Sequence, residues 1–171
     1  MFQTGDRIVY GSMGVCRVLS ISVPDFLRAG EEKEYYTLEP LNRQGTIFVP
    51  VDTSVFMRPV ISREEAEDLI DAIPTFRAKA YHSHVLQELN QHYANAISSH
   101  EISDLVKLLM SIHVKRKERE KQNLKMGAVD ENYMRRAESL LYGELSIALD
   151  MPESDIPGYI ARRVDAHALY A

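Results

Sequence analysis

Tryptophan is missing altogether, and cysteine occurs once, at position 16. A single thiol excludes a disulfide framework within the chain and suits a reducing compartment. Cys16 sits in an apolar stretch, where a small buried side chain is the ordinary reading and a reactive thiol the exception. No apolar run is long enough to cross a bilayer, and the amino-terminal stretch lacks the charged and apolar regions of an export signal. An intracellular protein with no membrane partner is therefore expected. Also missing are the G-x-S-x-G and S-x-x-K nucleophile motifs and the glycine-rich loops that cradle phosphates. The expectation is a protein that is not an enzyme, with no catalytic residue, no cofactor and no small-molecule substrate.

What is present is ordinary globular material. Of 171 residues, 45% are hydrophobic and 26% charged, enough for one or two domains with a sizeable core. The net charge of −5 argues at first against nucleic acid, but its distribution matters more than its sum. Residues 115–125, KRKEREKQNLK, hold 6 basic and 2 acidic side chains. A concentrated patch can meet phosphates even on an acidic protein.

The organisation changes near residue 61. Before it lie short runs rich in β-branched and aromatic residues: Arg7 to Tyr10, Val15 to Ile21, Glu34 to Leu38 and Thr46 to Val49. A last short strand is expected around Val55, Phe56 and Met57. Gly11-Ser12-Met13-Gly14 and Asn42-Arg43-Gln44-Gly45 are the turn signals, and the polar stretch PDFLRAGEEK over residues 24–33 joins the second and third strands. Such spacing predicts a small all-β sheet or barrel. Strand four ends at Pro50, which cannot donate to a ladder. A barrel this small keeps edges, and an exposed edge is a hazard or a place for a foreign strand to pair.

After it, apolar residues recur at helical spacing. Ser62 and Glu65 make a capping box for the first helix, which Pro74 stops. The second helix is predicted from about Phe76 to Ile97, with Tyr81 on its apolar stripe. A capping-box spacing at residues 98–101 restarts the chain, and the third helix carries Ile102, Leu105, Val106, Leu109 and Ile112 into the basic run. Asp130 is expected to cap the fourth helix, which Pro152 ends, and Ser154 a short fifth. Five helices make a compact all-α bundle over residues 61–171, after a β domain over residues 1–60.

His84, Glu88 and His92 fall at i, i+4 and i+8 of the predicted second helix. Two histidines and a carboxylate are plausible zinc ligands, but i and i+8 lie about 12 Å apart along the axis, so one helix cannot close a site and no metal is expected. The basic run carries either a solvated helix face with interspersed ion pairs or a phosphate-binding surface.

Several segments together resemble a known family. GDRIVYGSMGVCRVLSI, EYYTL and FVPVD are similar to the amino-terminal polymerase-interacting module of the CarD/CdnL family of bacterial transcription regulators, a Tudor-like module shared with the transcription-repair coupling factor. YMRRAESLLYGELSIAL is similar to the helical domain of the same family. The resemblance implies an α+β chain of two domains, a small Tudor- or SH3-like antiparallel β-barrel followed by the helical bundle. It implies that the module binds the RNA polymerase β subunit by strand addition, here along Thr46, Ile47, Phe48, Val49 and Pro50. The helical domain would then face promoter DNA at the upstream edge of the melted bubble, with weak sequence preference and only when tethered to polymerase.

In that family a tryptophan early in the helical domain wedges into the minor groove, a position that falls near Ala78 here. Phe76 and Tyr81 are the nearest aromatics, and Phe76 is the candidate for exposure. Phosphate contacts are expected from Arg77, Lys79, Lys115, Arg116, Lys117 and Arg119. The expected function is to modulate, in the stabilising sense, the open promoter complex in the cytoplasm. The rival is an adaptor that tethers a partner to polymerase without touching DNA, a reading the absence of tryptophan favours.

Overall fold

The computed structural model describes the backbone of residues 1–170 and the side chains of residues 1–165. It divides into two units, Met1–Val60 and Ile61–Ala171.

In the first unit the turn at residues 11–13 closes a hairpin between β1 (Arg7–Tyr10) and β2 (Gly14–Ser22), with Tyr10 paired to Gly14. Gly11 is held at φ +49, and a Cβ there would meet Val55 Cγ1 at 3.1 Å, so both backbone and space call for glycine. β3 (Tyr35–Pro40), β4 (Ile47–Pro50) and β5 (Met57–Pro59) complete a five-stranded antiparallel sheet in the order β4-β3-β2-β1-β5. Thr46 lies just outside β4, and the last strand starts two residues later than the Val55 to Met57 run predicted. Alternation puts Ile8, Cys16, Val18, Tyr36, Leu38 and Val49 on one buried face. Burial pushes the Cys16 thiol up to about 11, as suits a side chain with a packing role. Arg17 and Glu39, opposite each other on β2 and β3, pair at 2.7 Å on the exposed face.

The second unit packs α1 (Arg63–Ala72), α2 (Leu86–Ser98), α3 (Ile102–Lys121), α4 (Ala128–Leu149) and α5 (Ile156–Tyr170) around Tyr93, Ile112, Leu145, Leu149 and Ile156. The Ser62 capping box forms as the sequence predicts. Glu65 N–H donates to Ser62 Oγ at 3.0 Å, and Ser62 N–H to Glu65 Oε2 at 2.7 Å. The restart at residues 98–101 forms no such box. Glu101 is the N-cap, and its N–H donates to Ser99 Oγ. Arg63 donates to the Leu149 carbonyl at 2.6 Å, satisfying one of the orphan acceptors at the end of α4. Buried Glu144 accepts the Ile61 N–H at 3.1 Å, which gives the glutamate of the YGEL motif a structural task. Arg163 grips both oxygens of Asp71 at 2.6 and 3.0 Å and ties α5 to α1.

Beyond the missing box at residues 98–101, two larger expectations are overturned here. The second helix begins at Leu86, ten residues later than its pattern predicts, and residues 76–85 are not helical. Phe76, Ala78 and Ala80 are half-buried while Arg77 and Lys79 are exposed, an extended alternation. Length explains the choice. Phe76 sits under Lys107, the Lys79 carbonyl accepts Ser111 Oγ at 2.6 Å, and His82 meets Glu118 at 2.9 Å. The stretch of α3 so covered is about 16 Å long. Six extended residues reach about 20 Å, whereas the same six coiled would reach about 9 Å. His84 consequently lies outside α2, and no metal-holding group occurs among the described residues.

The second correction concerns Asp130. Gly127 is the N-cap of α4, and Asp130 is its third residue, turned into the core. Its Oδ1 accepts Tyr93 Oη–H at 2.6 Å and Lys115 Nζ–H at 2.9 Å. Burial, with the hydrogen bond to Asp130 adding to it, raises the Tyr93 phenol far above its ordinary range, so it stays a donor. Removing one partner from such a pair leaves an uncompensated buried charge. Lys115→Ala is therefore expected to cost about 3–5 kcal/mol, and urea denaturation followed by far-UV circular dichroism measures it.

Candidate functional site

The border of β4 comes first. Val51 N–H donates to the Glu34 carbonyl at 3.1 Å, and the register continues through Val49 opposite Tyr36 and Ile47 opposite Leu38. Hydrogen-bonded pairs alternate along an antiparallel ladder. Residues 47, 49 and 51 thus spend their backbone groups on β3, and Phe48 and Pro50 aim theirs outward. Pro50 has no N–H to lose there, which is why an edge tolerates it. Among the described residues β4 pairs with β3 alone, so this row stays unpaired.

Side chains follow the same parity. Val49 points into the core, while Phe48 stands on the other face and is 52% exposed. Phe26, 60% exposed, reaches across from the connection between β2 and β3. Its ring meets Phe48 edge-on at 5.4 Å and Tyr35 at 5.6 Å. Three aromatic rings therefore adjoin an open strand. Phe26 was not anticipated; the one available signal was a lone aromatic in an otherwise polar connecting stretch. The opposite border, β5, is three residues long, with exposed Val55 and Phe56 just ahead of it.

In the helical unit the predicted contact residues separate. Phe76 is half-buried against the core, with Lys107 Nζ 5.1 Å above its ring, and so is not an exposed wedge. Lys115 is 4% exposed and committed to Asp130, so it cannot reach a phosphate. Arg116 turns back on the Met134 sulfur at 3.1 Å, and Arg119 closes the chain after α3 by donating to the Lys125 carbonyl at 2.6 Å. Lys117 is exposed. Neighbours on a helix point about 100° apart, so the run surrounds α3 instead of forming one stripe.

Arg77 and Lys79 fare differently. Both are exposed and line a cleft of about 520 Å³ with Lys107 and Asp104. His92 forms part of the wall, stacked on Tyr81 at 3.7 Å, and burial holds its imidazole below the ordinary value. Lys107 escaped sequence reading because nothing in a helical pattern tells an exposed lysine beside a strap from any other.

An open sheet with an aromatic-lined border and a separate helical unit defines a Tudor-like module joined to an all-α domain. Residues 2–61, the amino-terminal unit, match the family model of the CarD-like/TRCF RID domain. Domains of that family interact with the β subunit of RNA polymerase. No curated protein matches the chain. No described helix is long and apolar enough to cross a membrane.

Because Phe26 and Phe48 are both more than half exposed, truncating either to alanine should leave stability within about 0.5 kcal/mol of the parent. Val49→Ala, on the buried face of the same strand, should cost about 1–3 kcal/mol. Thermal denaturation of the three variants checks the contrast.

Proposed function

We propose that this chain is a CarD-type transcription regulator that docks on the RNA polymerase β subunit through β4 and modulates the open promoter complex. The observation that carries the reading is the unpaired β4 border beside exposed Phe48, in a unit that matches the RID domain. Strand addition takes its affinity from main-chain hydrogen bonds and its selectivity from alternate side chains. Ile47, Val49 and Pro50 shape the strand, and Phe48 is the side chain a partner meets.

Docking places the helical unit beside DNA at the upstream edge of the bubble. With Phe76 and Lys115 engaged internally, phosphate contact falls to Arg77, Lys79, Lys107 and Lys117, with Arg116 and Arg119 supplying remaining guanidinium donors. Such contacts hold the backbone and carry little sequence information. Tethering to polymerase raises their effective concentration, which an acidic protein needs. The protein does no chemistry of its own in this reading and works in the cytoplasm, where polymerase is.

A second reading has a specific observation behind it. The burial of Lys115 and the dispersal of the run around α3 leave a weaker positive surface than the sequence promised. That favours an adaptor whose helices recruit a protein partner to polymerase.

Phe48→Asp buries a charge against the added strand and should abolish co-purification with polymerase core enzyme. Undiminished co-purification by the folded variant would exclude β4 as the dock. The triple reversal of Arg77, Lys79 and Lys117 to Glu should retain polymerase and shorten the competitor-challenged lifetime of the promoter complex on the order of tenfold, about 1.4 kcal/mol. An unchanged lifetime with polymerase retained selects the adaptor.

A further inference from the structure

The β4 border opens at one end onto a hollow of about 580 Å³ lined by Leu27, Glu31, Glu32, Lys33, Tyr35 and Asp52. Tyr35 belongs to both features, since its ring also contacts Phe26 of the aromatic group. Three carboxylates and one ammonium face this space. Lys33 pairs with Asp52 at 2.8 Å, and Glu31 and Glu32 have no ion-pair partner among the described residues. The hollow is therefore net negative, since Lys33 balances Asp52 and leaves Glu31 and Glu32 uncompensated.

The backbone row beside it is short. Phe48 offers an N–H and a carbonyl, and Pro50 only a carbonyl, so few hydrogen bonds fix which strand pairs here or in which direction. Side chains must supply that information. Charge complementarity is suited to it, because it sets register and partner choice more than raw affinity.

We infer that the β4 border takes an extended segment of a partner protein carrying an apolar side chain against Phe48 and a lysine or arginine that seats in the hollow of Glu31, Glu32 and Asp52. This rests on the docking edge proposed above and names its partner's chemistry. From Phe48 to the end of β4 at Pro50 the strand advances about 7 Å, and a turn closed by Thr53 N–H on the Pro50 carbonyl then sets Asp52 beyond that end. The basic residue therefore stands several positions from the apolar one, where the added strand passes the end of β4. A second copy of this chain is the lesser occupant, since each copy brings a net charge of −5.

The test uses the full chain and two labelled decapeptides with an alternating isoleucine and threonine centre. One ends in two lysines and the other in two glutamates. Fluorescence anisotropy at low salt should show the lysine peptide binding about tenfold more tightly, with the gap closing at high salt. Glu31→Lys with Glu32→Lys should reverse the preference, the milder Glu31→Gln with Glu32→Gln should erase it, and Phe48→Asp should abolish both complexes. Equal binding of the two peptides, binding of neither, or a lysine preference that survives the reversal overturns the inference. So does a dimer in sedimentation velocity that Phe48→Asp dissolves, which would give the border to a second copy. Polymerase co-purification with the parent and Phe48→Asp chains, run alongside, judges the docking proposal separately. Polymerase bound through Phe48 with no peptide preference removes only the basic partner residue. A peptide preference without polymerase binding removes only the polymerase.

Discussion

A single buried carboxylate oxygen sets the geometry of the helical unit. Asp130 Oδ1 accepts Tyr93 from α2 and Lys115 from α3 while riding on α4, so three helices share one acceptor. Desolvating an ammonium and a carboxylate costs several kcal/mol each, and only close contact with satisfied hydrogen bonds offsets it. A slip of one helix would leave a charge unpaired in an apolar core. The network therefore fixes rotation about α3, and that rotation decides which members of the basic run meet water. Lys115 is spent inside; Lys107 and Lys117 are left outside. The same rotation presents Ser111 and Glu118 to the strap at residues 76–85, whose exposed side chains are Arg77 and Lys79.

The sheet obeys a different constraint. An open strand beside exposed rings invites unwanted pairing. The borders here are blunted by brevity and proline, four residues ending at Pro50 on one side and three ending at Pro59 on the other. Keeping Phe48 and Phe26 in water costs folding energy that an ordinary surface would not forgo. That cost is intelligible if another chain covers them, which is the physical content of the docking proposal.

Legibility differed sharply between the parts. The hairpin at Gly11–Gly14 and the alternation in β2 and β3 were readable, because turn chemistry and side-chain parity are local. The Ser62 box was readable for the same reason. The strap was not. Ala78, Tyr81 and Val85 fit a helical stripe, but Phe76 lies under Lys107 and His82 meets Glu118, contacts about 16 Å apart along α3 that six helical residues could not span. Asp130 was read as a cap because Asp favours that place, and its inward turn depends on Tyr93 and Lys115, 37 and 15 residues away. Of the candidate site, Phe48 and Pro50 followed from strand parity, whereas Phe26 and Lys107 did not, since nothing local to them marks what they touch.

By itself the sequence determined the alternation of strands and helices, the place where β periodicity gives way to helical, and the match of residues 2–61 to the RID domain, all properties of neighbouring residues or short motifs. Tertiary structure alone decided which charges are available. A lysine's sequence cannot say whether an aspartate fifteen positions on will claim it, because only packing brings the two within 2.9 Å and removes the water that would keep them apart.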